Sequence, residues 1–198
     1  QAAVQQQSEA ASAHIREVTD VFFPFNNGFN TSITTLDGLQ IFSSAHTSNN
    51  GGSNQSNRGT TAFSAIAVEA TRVLGKKMLT NRDNRFALNY DTIIGPTDIA
   101  EAVFEVINAN GKVDTANNNP NFHKGRYKFI ESEWLDDPNN WFMADSRFLK
   151  RYMEWNQIVE LEFNNAKNFD DYVAKYSSYM HYSYAVRDWR FGFGHEVS

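Results

Sequence analysis

Asp37, Ser43, Ser44 and His46 fall within ten positions of the stretch "TTLDGLQIFSSAHTSNNGG". A carboxylate, hydroxyls and an imidazole are the groups with which acyl hydrolases make a nucleophile: the acid orients the base, and the base takes the serine proton. Such enzymes hold the serine on a strained elbow, usually marked by a Gly-x-Ser-x-Gly turn. Neither serine has those glycines, and both read as the end of a strand. The stretch is therefore expected to hold a shape, a turn at Asp37-Gly38 with ordinary loop hydroxyls around it.

Other chemistries find less. His14, His46, His123, His181 and His195 are isolated, with no His-x-His or His-Glu-x-x-His pair to bind a metal. The acidic run "ESEWLDD" lacks the alternate spacing and Gly turn of a calcium loop and reads as a solvated loop. "NNGG" and "GFGHE" lack the Gly-Lys-Ser/Thr ending of a phosphate cradle. The chain has no cysteine, which removes disulfides, thiolate nucleophiles and Cys-ligated zinc. No catalytic residue, metal or cofactor is expected.

Net charge is −5 and the 18 Lys and Arg are scattered, so there is no cationic track for a phosphate backbone, and sequence-specific nucleic-acid binding is not expected. "RDWRFGFG" mixes Arg with aromatics, but its acidic neighbours favour packing for Trp189, with Arg187 and Arg190 pairing locally or across a contact. No apolar run is long enough to span a bilayer, and the N-terminus lacks a leader pattern. Aromatic residues make up 14% of the 198, which suits extensive contacts with neighbours.

These residues must be positioned by the elements around them. Residues 1–23 are rich in Ala, Gln and Glu, with Val4, Ala11, Ile15, Val18 and Phe22 at helical spacing, and the helix is expected to stop near Pro24. It opens as though already in mid-helix, and the first residue is Gln, so the chain is expected to be a piece of a longer one. "SITTLDGLQIF" predicts a hairpin, and "HTSNNGGSNQSNRGTT" a long polar loop. Thr60 or Thr61 is expected to cap a helix carrying Phe63, Ile66, Ala70, Val73 and Met78, with Lys76 and Lys77 at its end.

"NRFALNYDTII" predicts a strand that becomes more buried toward Gly95. Thr97 or Asp98 is expected to cap a third helix with an apolar stripe of Ile99, Val103, Val106 and Ile107, Glu101 and Glu105 facing out, and Gly111 as terminator. A second polar loop follows, then strands at "YKFIES" and "NWFMAD", a short helix after Ser146, and long antiparallel strands through "IVELEF" and the Tyr-rich tail. Helices and strands mix without regular alternation, which predicts an α+β architecture.

The order of these features resembles a known family. The helix ending in "FNNGFN", then "TTLDGLQIFSSAHTSNNGGSNQSN", the helix at 61–79, "NYDTIIGPTDIAEAVFEVI", "WFMAD" and "YAVRDWR" resemble the major capsid proteins of tailed phages, particularly the Mu-like major head subunits. The resemblance implies the Hong Kong 97 fold: a long spine helix, a peripheral β-sheet domain and an inserted axial α/β domain. Residues 1–58 would be the spine helix and peripheral hairpin, 59–147 the axial domain, and 148–198 the return strands. It also implies an N-terminal arm and an extended loop before the spine helix, which this stretch does not contain.

By this resemblance the protein is a structural subunit of the virion, assembled in the host cytoplasm. Its partners are copies of itself in pentamers and hexamers around a double-stranded DNA genome, with scaffold, portal or cement proteins as further candidates. No membrane partner is implied. Expected contact residues are the loop Asn117, Asn118, Asn119, Pro120, Asn121, Phe122 and His123, together with Arg187, Trp189 and Arg190 at the subunit edge. The rival readings are an encapsulin-like compartment shell or another α+β binding module, and a hydrolase using His46 with Ser43 or Asp37.

Overall fold

In the computed structural model, residues 2–47, 52–112, 119–167 and 174–198 are described. The elements are helix α1 (Ala2–Asn26), strand β1 (Arg58–Gly59), helix α2 (Ala65–Lys77), strand β2 (Thr92–Gly95), a 3-10 turn (Thr97–Ile99) leading into helix α3 (Ala100–Asn108), strands β3 (Lys128–Glu131) and β4 (Trp141–Ala144), helix α4 (Ser146–Tyr152), strands β5 (Met153–Lys167) and β6 (Ala174–Val186), a second 3-10 turn (Trp189–Phe191) and strand β7 (Gly192–His195). The fold is α+β, as expected.

Five short strands form a mixed sheet in the order β1-β7-β4-β2-β3, with β2 antiparallel to β4, β4 antiparallel to β7, and the two outer pairs parallel. Both faces are covered, which is why β2 and β4 are apolar at every position from Ile93 to Ile94 and from Trp141 to Ala144. Alternation then divides these residues between two cores. Ile93, Trp141, Met143 and Phe193 join Val68 of α2, Val103 of α3, Leu88 and Tyr90 on one side. Ile94, Phe142 and Ala144 join Phe25 of α1, Ile41, Phe42 and Phe191 on the other. β7, from the expected return segment, pairs with β4 of the expected axial segment, so the two segments share one sheet.

β5 and β6 form a separate two-stranded hairpin, roughly 50 Å long at ~3.3 Å per residue. Two register shifts interrupt it, between Gln157 and Val159 and between Val159 and Glu162. One face lies along α1: Phe23 meets Tyr184 at 6.2 Å, and the Tyr182 hydroxyl donates to the Asp20 carboxylate at 2.6 Å. No helix among the described residues is long and apolar enough to cross a membrane.

Several expectations need correction. α1 runs through Pro24 to Asn26, because Phe25 is anchored in the core and the Asn27 N–H still closes on the Phe23 carbonyl at 3.0 Å. Its covered side follows Ala13, Asp20, Pro24 and Phe25, while Ala11 and Ile15 face solvent; the hairpin it packs on offers a tyrosine hydroxyl, so the stripe is partly polar. The expected hairpin at 32–42 reduces to a tight turn with a single bridge between Thr34 and Gln40. Along residues 86–90 Leu88 and Tyr90 are buried while Ala87 and Asn89 are exposed, in the expected one-faced alternation, but Ala87 sits at φ +57° and only 92–95 join the sheet.

α2 is capped by Ser64, whose Oγ accepts from the Ala67 N–H at 3.1 Å, because Thr60 and Thr61 are spent extending the chain beyond β1. The buried residues of α2 are Ala67, Val68, Thr71 and Gly75, so the expected stripe is turned outward at Ile66 and Ala70. α3 has no side-chain cap, because the 3-10 turn at Thr97–Ile99 supplies its first turn. Its inner residues, Val103 and Val106, and its outward Glu101 and Glu105 are as expected, and Lys76 and Lys77 do close α2. α3 ends at Asn108, three residues before Gly111, which instead forms an isolated bridge with Pro120.

Gly75 gives a measurable consequence of this packing. A Cβ there would lie 2.4 Å from the ring of Tyr90, a core residue that cannot swing away. Gly75→Ala would gain about 1 kcal/mol of helix propensity, yet overpacking of this kind costs about 1–3 kcal/mol. Steric conflict is expected to win, with a net loss of roughly 1–2 kcal/mol by urea unfolding. A stabilised variant would contradict a tight contact between α2 and Tyr90.

Candidate functional site

The cluster that opened the sequence reading is assembled by a turn. Gly38, at φ +79°, lets its N–H return to the Thr35 carbonyl at 2.9 Å and leaves the Asp37 carboxylate facing inward. One Asp37 oxygen accepts from the Thr35 hydroxyl at 2.5 Å and the Leu39 N–H at 3.1 Å; the other lies 2.6 Å from His46 Nδ1. Burial pushes this carboxyl up, but the bonds from Thr35, His46 and Leu39 outweigh it and hold it below the usual range.

His46 has no exposed surface. Its Nε2 faces the Ile41 carbonyl at 3.2 Å and the Asn57 side-chain oxygen at 3.1 Å, so acceptor atoms lie against both ring nitrogens. The ring lies parallel to Trp189 at 4.0 Å, stacked face to face in the core. Among the described residues no hydrogen bond from either nitrogen goes to a serine. Ser43 Oγ accepts from the Ala45 N–H at 3.3 Å, and Ser44 is exposed. General-base catalysis needs a nitrogen with an open acceptor site toward the nucleophile and room for a substrate. Here three acceptors occupy both nitrogens and a tryptophan covers the face.

Asn57 is the hub that sequence reasoning missed. Its side-chain oxygen accepts from the Ser43 N–H at 2.9 Å, and its amide donates to the carbonyls of Ile41, Trp189 and Gly192 at 2.9, 3.3 and 3.2 Å. It thereby ties the Asp37–His46 segment to the 3-10 turn and β7 at the far end of the chain. Nothing marks it in a run of Gly, Asn and Ser, since a buried amide in such a loop reads like a solvated one. Asp145 of "WFMAD" is a second such clamp: fully buried, it caps α4 through the Arg147 N–H, binds the Arg147 guanidinium at 2.7 and 3.0 Å, and accepts from the Asn89 N–H at 2.9 Å.

A second histidine stack lies on β7. His195 is parallel to Trp141 at 4.1 Å, accepts from the Thr61 N–H at Nδ1 (3.3 Å), and donates from Nε2 to Thr71 Oγ1 at 2.8 Å, while that hydroxyl donates to the Ala67 carbonyl. Both nitrogens are satisfied by a neutral ring, and burial pushes its pKa down to about 4. His123 is buried beside Tyr127 and 4.0 Å from Glu69; burial, with the charges of Arg72, Arg126 and Lys112, lowers its pKa although Glu69 opposes the shift. Among the described residues no three His, Asp or Glu side chains converge to hold a metal.

Of the expected contact loop, Asn117 and Asn118 lie outside the described residues. Asn119, Pro120 and Phe122 are exposed, while Asn121 turns inward and donates to the carbonyls of Val106 in α3 and of Ala109 just beyond its end, at 2.7 and 3.0 Å. Arg187 is exposed and paired with Glu154 at 2.8 Å. Trp189 and Arg190 are inside the subunit: the Arg190 guanidinium lies over Trp189 and binds Asp188 and Asn81. Their burial gives them the packing role, so of this trio only Arg187 stands at the surface.

The family described as "Phage capsid protein" matches residues 1–193. No curated protein matches the chain. Among solved structures, a chain of the satellite phage P4 procapsid including the size determination (Sid) protein is similar at 14% identity with a TM-score of 0.43. That likeness covers 98% of this chain and 64% of the other.

Proposed function

Because the chain belongs to the family of phage capsid proteins, structural subunits of the virion, we propose that it tiles with copies of itself into pentamers and hexamers of an icosahedral tailed-phage head. The family match from residue 1 to 193 carries this reading. The Hong Kong 97 fold and the Mu-like relationship belong to the same proposal: α1 is the spine helix, the β5–β6 hairpin the peripheral sheet beneath it, and residues 59–147 the axial domain.

The interior supports a scaffolding duty for the polar cluster. Asp37, His46 and Asn57 are consumed in mutual hydrogen bonds, and a rigid subunit presents its edges to neighbours with little ordering cost. Ile158, Phe163 and Tyr179 stand exposed on the hairpin, an arrangement suited to many weak contacts whose effects multiply in a closed assembly. Exposed Asn119, Pro120 and Phe122 are proposed contacts near a symmetry axis, and Arg187 a contact at the subunit edge. Net charge of −5 suits a wall that encloses DNA without gripping it. Scaffold, portal and cement proteins are the proposed heterologous partners.

Electron microscopy of the purified full-length gene product tests the reading. Rings with fivefold and sixfold symmetry, or closed particles built from them, are expected. Well-folded single subunits in every field, at every concentration, would overturn it.

A further inference from the structure

The surface of α2 and α3 carries a matched knob and socket. The socket is a cavity of about 790 Å³ between α2, the end of α3 and the loop at 121–127. Ile66, Ala70, Val106 and Phe122 make its apolar lining, and Ile66 is left 74% exposed. Its rim is basic. Glu69 is taken up by a two-pronged bond from Arg72 at 2.7 and 2.8 Å. Lys112 on the lining and Arg126, stacked on Phe122 at 3.7 Å, have no carboxylate in ion-pair range among the described residues.

The knob is on the outer side of α3. Phe104 is 65% exposed and flanked by the exposed acids Glu101 and Glu105, which make no ion pair among the described residues. At ~100° per residue, Phe104 lies about 160° around the helix from Val106, the α3 residue that lines the socket. The two features therefore face opposite ways and cannot satisfy each other within one chain. An exposed Phe amid carboxylates, and an exposed apolar basin amid cations, are complementary in shape class and in charge.

We propose that Phe104, with Glu101 and Glu105, inserts into the socket of a second copy of this chain, its ring against Ile66 and Phe122 and its acids beside Lys112 and Arg126. Such a contact is heterologous: each subunit uses its knob on one neighbour and its socket on the other, so the contact propagates until a ring closes. The inference deepens the shell reading and rests on it, since it names the surface through which copies meet.

The test uses two full-length variants at exposed sites, Phe104→Asp and Ile66→Asp, each checked for unchanged far-UV circular dichroism and melting. In sedimentation, each alone is expected to self-associate at least 30-fold more weakly than the parent, the loss typical of a central anchor. Mixed in equal amounts, the two are expected to form a one-to-one heterodimer, because the intact socket of the first receives the intact knob of the second, while no longer ring can grow. Parent-like association by either variant, or a mixture with no heterodimer, overturns the knob and socket and leaves the shell reading standing. A parent that does not associate overturns both.

Discussion

Replacing His46 by Ala is expected to lower the unfolding free energy by about 3–5 kcal/mol and to abolish no reaction. The ring is fully buried and stacked on Trp189, so its removal opens a cavity against an aromatic face. It also leaves the Asp37 carboxylate without its 2.6 Å partner and Asn57 without one of its own. Either loss alone is worth a few kcal/mol, and against a typical total of roughly 5–15 kcal/mol their sum is a large fraction. For a chain of this length the melting temperature should fall by roughly 10 °C or more. Ser43→Ala, which removes only a 3.3 Å bond from the Ala45 N–H, should cost no more than about 1 kcal/mol. A hydrolase would show the reverse: serine replacement would remove turnover, and His46→Ala would fold as well as the parent. Urea unfolding of both variants separates the two outcomes.

The second large effect is acid loss of stability through His195. Its ordinary pKa is 6.5, and in the folded chain burial holds it at about 4. Between those values the unfolded chain binds a proton that the folded chain refuses, so stability falls as pH falls. The full contribution is present above about 6.5 and is lost by about 4, a difference of about 3 kcal/mol at 1.36 kcal/mol per unit. Burial disfavours the charged ring, and a proton added to Nδ1 would in addition point at the Thr61 N–H. His123, also lowered, contributes in the same sense. Asp37 and Asp145 act later: their carboxyls are held below the ordinary 3.8, so their stabilisation disappears only as pH drops through those lowered values. His195→Gln should flatten the stability profile between pH 6.5 and 4 and leave the steeper loss below it. A profile identical to the parent's across that window would contradict a neutral buried His195.

Much of the architecture was readable because it depends on local pattern. α3 shows a clean stripe of Val103 and Val106 opposite Glu101 and Glu105, and β4 is an unbroken apolar run between a turn and a cap, as a strand covered on both faces must be. α1 was misjudged in phase and length, because the partner that decides which side is covered lies some 160 residues away and meets it through a tyrosine hydroxyl. Turn chemistry put Asp37 and Gly38 in the right place but could not say that the flanking segments would run off without pairing.

At the site, residue types identified Asp37 and His46 and their spacing placed them near each other. What they do was decided by Asn57 and Trp189, the one hidden in a polar loop and the other 143 positions from His46. Burial of a hydrogen-bonded amide or of a guanidinium such as Arg190 leaves no local trace, since it is fixed by what packs over it. Phe104 did leave one: an aromatic between two acids on the outward side of an amphipathic helix.

Sedimentation velocity of the full-length protein over a concentration series measures most directly whether these subunits tile. Large discrete assemblies that grow in share with concentration, at the expense of the single subunit and without a continuous smear of aggregates, are the predicted result. A single slow boundary at the mass of one subunit from the lowest to the highest concentration, for a protein that is fully folded by circular dichroism, would contradict it.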